Sequence, residues 1–314
     1  NSAEMEICMK KILHLIFGRF FVVAMAIILQ VLWLCVVLWQ LSYKFTYVNL
    51  LVRVIAIIVV LIIVNKWTNP ANKLSWTFLI LLSPIFGLMV YFLFGRSGLT
   101  KHTRERMDTV NQQVEALFQR DIAAEEKLEK ESRSAYLQSS YIDKWAGFPL
   151  YQNTQTKYYR CGEEMFPDML DALRSAKHFI FLEYFIIEEG YMFNTILDIL
   201  EEKAKAGVDV RFIYDDVGSI NSISFGYYKK LQERGIPCVT FNPFKPLISV
   251  VMNNRDHRKI FVVDGYIGFT GGINLADEYI NKVKRFGYWK DTGVRIEGEA
   301  VWSLTAMFLE MWNY

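Results

Sequence analysis

Asn254-Arg255-Asp256-His257-Arg258-Lys259-Ile260-Phe261-Val262-Val263-Asp264-Gly265, followed by Gly271-Gly272-Ile273-Asn274, is the stretch from which the rest of the chain can be read. His257 and Lys259 lie two apart, just ahead of the apolar run 260–263. Period-two alternation puts both side chains on one face if the strand includes them. Gly271 and Gly272 let the backbone approach a ligand closely, and Asn274 follows just beyond them. An imidazole, a fixed ammonium and an amide that converge suit a tetrahedral phosphate. The imidazole can attack phosphorus while the cation and the amide hold its oxygens. Asp264-Gly265 between two apolar runs is a two-residue hairpin signal, so 260–263 and 266–270 read as paired strands. Seven positions from His257, Asp264 falls on the opposite face of any continuous strand. Turn-making or a structural ion pair is the first reading for it, and direct chemistry the second.

Upstream of this stretch, strands alternate with helices. Phe179–Ile187 reads as a buried strand, Met192–Ala206 as an amphipathic helix ended by Gly207, and Val208–Tyr214 as a second strand. Phe225–Arg234 reads as a helix closed by Gly235, and Cys238–Phe241 as a further strand. The alternation predicts an α/β layer with a mostly parallel sheet. A last helix beginning near Ala300 carries apolar positions that need a partner.

His257-x-Lys259-x4-Asp264 with the following Gly-Gly-x-Asn resembles the HKD motif of the phospholipase D superfamily. Three flanks narrow the resemblance: Leu182-Glu183-Tyr184, Tyr214-Asp215-Asp216-Val217-Gly218-Ser219 and Asp277-Glu278-Tyr279. With the segment from Asn69-Pro70 to Phe94-Gly95-Arg96, they resemble bacterial cardiolipin synthases from about Leu50 to the last residue. The resemblance implies N-terminal transmembrane helices followed by one phospholipase D-like α/β sandwich domain. It implies catalytic roles for His257, Lys259 and Asp264, and substrate contacts at Gly272 and Asn274. Asn274 is a candidate helix N-cap as well. A nucleophilic histidine needs its other ring nitrogen oriented by an acceptor. Glu183, Glu278 and Asp291 are the candidates, and the family pattern favours Asp291.

The reaction implied is a ping-pong phosphatidyl transfer. One phosphatidylglycerol would give its phosphatidyl group to His257 and release glycerol; a second would accept it, giving cardiolipin, with no cofactor. A second histidine must serve as general acid and then base. The four histidines are His14, His102, His178 and His257, and none but His257 has a lysine two residues on. The expectation is therefore that the second HKD half lies in a longer chain, or that two copies pair as a homodimer. In the first case this polypeptide alone should be nearly inactive. The competing readings are another membrane-bound phospholipase D-type transferase or hydrolase, and a non-catalytic lipid-binding protein with half a site.

Composition bounds these readings. A net charge of +2 argues against nucleic acid as the main partner. Cys8, Cys35, Cys161 and Cys238 have no metal-ligand spacing and suggest a reducing compartment. Asp215-Asp216 has no histidine or third carboxylate near it in sequence, and Lys259 already supplies the charge a metal would bring, so no metal is expected. Residues 1–98 read as a membrane-anchoring module with spans at 20–41, 48–64 and 74–94, the last kinked at Ser83-Pro84. Residues 99–145 read as a charged, solvated helical connector, and 146–314 as the catalytic domain. The basic residues flanking these spans tie, five against five. The cysteines and the resemblance favour a multi-pass protein of the bacterial cell membrane whose catalytic part faces the cytoplasm.

Overall fold

The apolar run after Val48 carries one charge, Arg53, and winds into α1, Thr46–Asn65. The computed structural model describes residues 25, 27–33, 36–37, 46–95, 101–243 and 255–314. These fall into two compact units, one around 46–95 and one formed by 101–243 with 255–314. Most of the expected first span, 20–41, lies outside the described residues; those described in it are helical.

In the first unit α1 is followed by α2, Pro70–Leu82, and α3, Pro84–Phe94. Asn69 starts α2: its Oδ1 accepts from the Ala71 N–H at 2.9 Å, and Pro70 takes the first helical position, where its missing N–H costs nothing. Pro84 cannot donate into the preceding turn and disfavours helix at Ser83, so α2 ends there and α3 begins. This corrects the single span expected at 74–94: it is two helices of 13 and 11 residues. Among the described residues one helix, Tyr47–Asn65, is long and apolar enough to cross a membrane, with mean hydropathy 2.9. The unit has a small interior of Ala56, Ile63, Ile80, Leu88 and Tyr91. Leu50, Leu61 and Leu82 remain more than half exposed.

The second unit begins with α4, Lys101–Glu115, α5, Ile122–Glu131, and α6, Arg133–Ala146. Its sheet comprises β1 (Thr154–Tyr159), β2 (Phe179–Tyr184), β3 (Asp209–Asp215), β4 (Cys238–Phe241), β5 (Ile260–Val263), β6 (Ile267–Gly271) and β7 (Gly293–Gly298). Their order is β1-β7-β6-β5-β2-β3-β4. Only β2–β3 and β3–β4 are parallel; the other four pairings are antiparallel. The mostly parallel sheet expected from the helix–strand alternation is thus corrected to a mixed one. Helical crossovers serve β2 to β4, after which the chain returns through the tight β5–β6 hairpin. Asp264 and Gly265 make that turn with φ of 53° and 66°, the two positive values a primed two-residue hairpin requires.

Strand alternation gives the sheet two covered faces. Ile180, Leu182, Phe212, Phe261 and Phe269 face α7 (Gly162–Ser175), α8 (Tyr191–Lys205) and α9 (Tyr227–Glu233). Phe181, Ile213, Ile260 and Val262 face α10, Val301–Asn313. Phe181 stacks on Phe308 with centroids 4.7 Å apart, a contact worth about 1 kcal/mol beyond its burial. Part of the apolar surface of α10 finds its partner in α4, where Val110 and Val114 are buried with Ala306. The start of the 99–145 segment is therefore packed onto this unit rather than solvated.

Candidate active site

The antiparallel return of β5 decides which residues meet. The ends of β2, β3 and β6 and the beginnings of β5 and β7 share one edge of the sheet: Glu183 pairs with Ile260, and Gly271 with Gly293. His257 and Lys259 precede β5, Gly272 and Asn274 follow β6, and Asp291 precedes β7, so all five collect at that edge. Ligands bind where strand ends open a crevice in such layered sheets.

His257 is exposed, its ring 4.6 Å from that of Phe185, the residue just past β2. Lys259 is 3% exposed. Its Nζ donates to the His257 carbonyl oxygen at 2.6 Å and lies 5.3 Å from the centre of the Phe185 ring. Burial pushes its pKa down from 10.5 to about 8, against the opposing pull of Asp256, Asp291 and Asp215. Near neutral pH the ammonium is still the dominant form, a fixed cation beside an accessible imidazole.

Gly272 sits directly against the Asp291 carboxylate, where any Cβ would overlap Oδ1. The Gly272 N–H donates to the Thr292 carbonyl at 3.0 Å, and Asp291 Oδ1 accepts from the Thr292 N–H at 2.9 Å. Asn274 is 2% exposed; its Oδ1 accepts from the Ile186 N–H at 3.0 Å and its Nδ2 donates to the Tyr279 hydroxyl at 2.8 Å. It therefore ties the loop after β2 to the loop after β6. The N-cap expected for it is not formed: the next helical turn, Asp277–Ile280, starts at Ala276 without a side-chain cap. Glu278, in that turn, faces Arg285 at 3.5 Å. No hydrogen bond joins the His257 ring to Asp291, Glu183 or Glu278 among the described residues.

Two residues stand apart. Glu183 alternates with Leu182 and Tyr184 on β2 and so points to the α10 face with Phe181. Fully buried, it accepts from Arg258 Nε at 2.6 Å, and desolvation pushes its pKa well up while Arg258 opposes the rise. Asp264 lies at the far end of β5, at the opposite edge of the sheet. Its carboxylate accepts from the Lys177, His178 and Phe179 N–H groups, each at 2.8 Å, and these bonds hold its pKa below the usual carboxylate range despite partial burial. His178, the other histidine next to the sheet, is at that far edge too.

Phe185, Asp256 and Arg258 were given no role by the sequence, and Asp215 entered it only in a family flank and as a metal pair set aside. Asp215 accepts from the Gly218 N–H at 2.8 Å and the Asp256 N–H at 3.0 Å, pinning the segment that carries His257 to the end of β3. Burial pushes its pKa up. Asp256 Oδ1 accepts from Arg258 at 3.3 Å. Among the described residues no group of three or more His, Cys, Asp or Glu side chains could hold a metal ion.

A mixed sheet whose edge presents His-x-Lys beside a Gly-Gly-x-Asn loop defines a phospholipase D-like domain. A family profile described as cardiolipin synthase, phospholipase D-like domain, matches residues 169–312, and a phospholipase D-nuclease N-terminal profile matches 54–96. Residues 169–312 are thus a phospholipase D-like domain, similar to that of cardiolipin synthases. It is 36% identical to cardiolipin synthase 1 of Bacillus anthracis over 86% of this chain and 53% of the relative. It is 42% identical to an uncharacterised Streptococcus mutans protein, over 81% of this chain and 55% of that one. A solved phospholipase D family member, Nuc from Salmonella typhimurium, aligns with TM-score 0.40 and 21% identity over 51% of this chain and 95% of that one. The chain spans about half the length of the curated relatives it matches.

Proposed function

We propose that this chain supplies the nucleophilic half of a membrane-bound cardiolipin synthase acting on phosphatidylglycerol. The observation that carries the proposal is the pairing of an exposed His257 imidazole with the buried ammonium of Lys259, which bonds the His257 carbonyl at 2.6 Å. A ring nitrogen of His257 attacks phosphorus, the bond from phosphorus to the glycerol oxygen breaks, and the leaving alkoxide takes a proton. A hydroxyl of a second phosphatidylglycerol then attacks the phosphohistidine, giving up its proton as the phosphorus–nitrogen bond breaks. Lys259 offsets the charge that develops on the phosphoryl oxygens. Asp291, against Gly272 and near enough to Lys259 to oppose the fall in its pKa, is the acceptor that orients the imidazole once substrate draws the site together.

Asn274 and Asp264 are positioning residues in this reading, since their polar atoms already hold the loops they join. Glu183 acts through Arg258 on the segment that carries His257. The proton donor for glycerol is a histidine of the second HKD half or of a second copy of the chain, because His178 sits at the far edge with Asp264. The apolar α1 brings the unit to a bilayer, where both lipid substrates reside.

A phosphatidyl ester of p-nitrophenol tests the half-reaction, because that leaving group departs without a proton donor. Wild-type chain in micelles should release up to one equivalent of p-nitrophenol and retain an acid-labile phosphatidyl adduct, and His257→Ala should do neither. Equal adduct on both proteins would remove His257 as the nucleophile. A folded wild type that forms none would reject the reading.

A further inference from the structure

Between the Asp277–Ile280 turn and Asp291 runs Asn281-Lys282-Val283-Lys284-Arg285-Phe286-Gly287-Tyr288-Trp289-Lys290, ten residues with four cations and no carboxylate. Its base is clamped. Asn281, at φ 52°, donates from Nδ2 to the Trp289 carbonyl at 2.8 Å and accepts at Oδ1 from the Trp289 N–H at 2.6 Å. The same Nδ2 donates to Glu163 at 2.8 Å. Trp289 lies 5.1 Å from Tyr279, whose hydroxyl bonds Asn274 at the active edge. Arg285 reaches down to Glu188 at 3.2 Å and Glu278 at 3.5 Å, and Lys282 lies 3.8 Å above the Tyr191 ring.

Beyond this clamped base Val283 is 51% exposed and Phe286 76%, its ring 5.9 Å from that of Trp289, with Gly287 at φ 92° at the tip, while the Tyr288 hydroxyl turns back to Cys161 and Glu163. Water gives no reason to present a phenylalanine in that way, and a fixed base makes the presentation persistent. An aliphatic and an aromatic tip on a loop that also carries Lys284 and Lys290 match the boundary of an anionic bilayer, where rings and methyls enter the acyl margin and cations meet headgroup phosphates. A planar-base partner would favour stacked rings over an aliphatic Val283 beside the tip.

We propose that the loop 281–290 is a docking finger for an anionic lipid surface, lowering Val283 and Phe286 into the headgroup boundary beside the active edge. The finger positions the mouth of the site on the bilayer, so a phosphodiester reaches His257 without leaving it. The inference stands independently of phosphoryl transfer: the loop would dock even if His257 formed no adduct.

The test is hydrogen–deuterium exchange of the full chain in detergent micelles, in phosphatidylcholine nanodiscs and in phosphatidylcholine–phosphatidylglycerol nanodiscs. Peptides covering 282–288 should exchange several-fold more slowly in the anionic discs than in the other two. The protection should weaken with added salt and be lost in Val283→Ser/Phe286→Ser. In Lys284→Glu each reversed charge should weaken it by roughly fivefold or more. Equal exchange in the neutral and anionic discs would overturn the proposal. Protection already present in micelles would assign the loop to a second copy instead, and protection conferred there by a single-stranded oligonucleotide would assign it to nucleic acid.

Discussion

Lys259→Met should make the protein more stable while abolishing adduct formation. Lys259 is 3% exposed, and its pKa falls from 10.5 to about 8, a shift worth about 3 kcal/mol against the charged form. Methionine fills a similar volume without that cost, but gives up the bond to the His257 carbonyl, worth about 1 kcal/mol. The difference is a gain of about 2 kcal/mol at pH 7, or roughly 5 °C in midpoint for a unit of this size. The pH profile isolates the cause. Between pH 8 and pH 10.5 the unfolded chain binds the proton that the folded protein has released, so wild-type stability rises with pH across that window. The variant lacks this rise, and its advantage should shrink and reverse by pH 10.5. Thermal unfolding in micelles at several pH values measures both curves. A variant less stable than wild type at pH 7, or a difference that stays constant from pH 7 to pH 10.5, would refute the argument that burial of this cation is costly and is kept for phosphate.

Asp264→Ala removes the acceptor of three N–H groups at the start of β2 and should cost roughly 2–3 kcal/mol at neutral pH, measured by denaturant unfolding. Because the folded pKa lies below the ordinary 3.8, that contribution is present above it and lost as pH falls through the folded value. Wild type and variant should therefore converge in acid. The folded variant should still form the His257 adduct; loss of the adduct with the fold intact would return Asp264 to direct chemistry. Glu183→Ala leaves the partly exposed Arg258 guanidinium without its fully buried carboxylate partner and should cost roughly 2 kcal/mol, whereas Glu183→Gln keeps an acceptor and should cost less. Equal losses from the two variants, read by the same unfolding assay, would mean that the charge pair contributes nothing specific.

The residue types of the site could be read from sequence because each serves a local rule. His257 and Lys259 stand at fixed spacing before an apolar strand, and Asp264-Gly265 supply the two left-handed positions of the turn. What could not be read is which partners those residues meet. Glu183 is as good a candidate acceptor as Asp291 in a list of carboxylates, but one position of strand alternation turns it to the α10 face and into contact with Arg258. Asp291 joins Gly272 across β6 and β7, and Phe185 reaches His257 across the edge of β2; neither pairing has a sequence spacing to betray it.

The apolar segment shows the same division. Composition identifies α1 as long enough to cross a bilayer, whereas hydropathy runs through Ser83-Pro84 and reads 74–94 as one kinked span. The missing N–H of Pro84 breaks it into two helices, with Gly87 allowing them to close on Ile80. The sequence by itself determined five of the seven strands, the β5–β6 turn, the spacing of His257 and Lys259 and the apolar character of the first unit, all properties of neighbours along the chain. The tertiary structure alone decided that the sheet is mixed and that its return strand brings His257 to Phe185 and Gly272 to Asp291. It also sent Asp264 to the other edge, because strand direction and register are fixed by which apolar faces can be buried together.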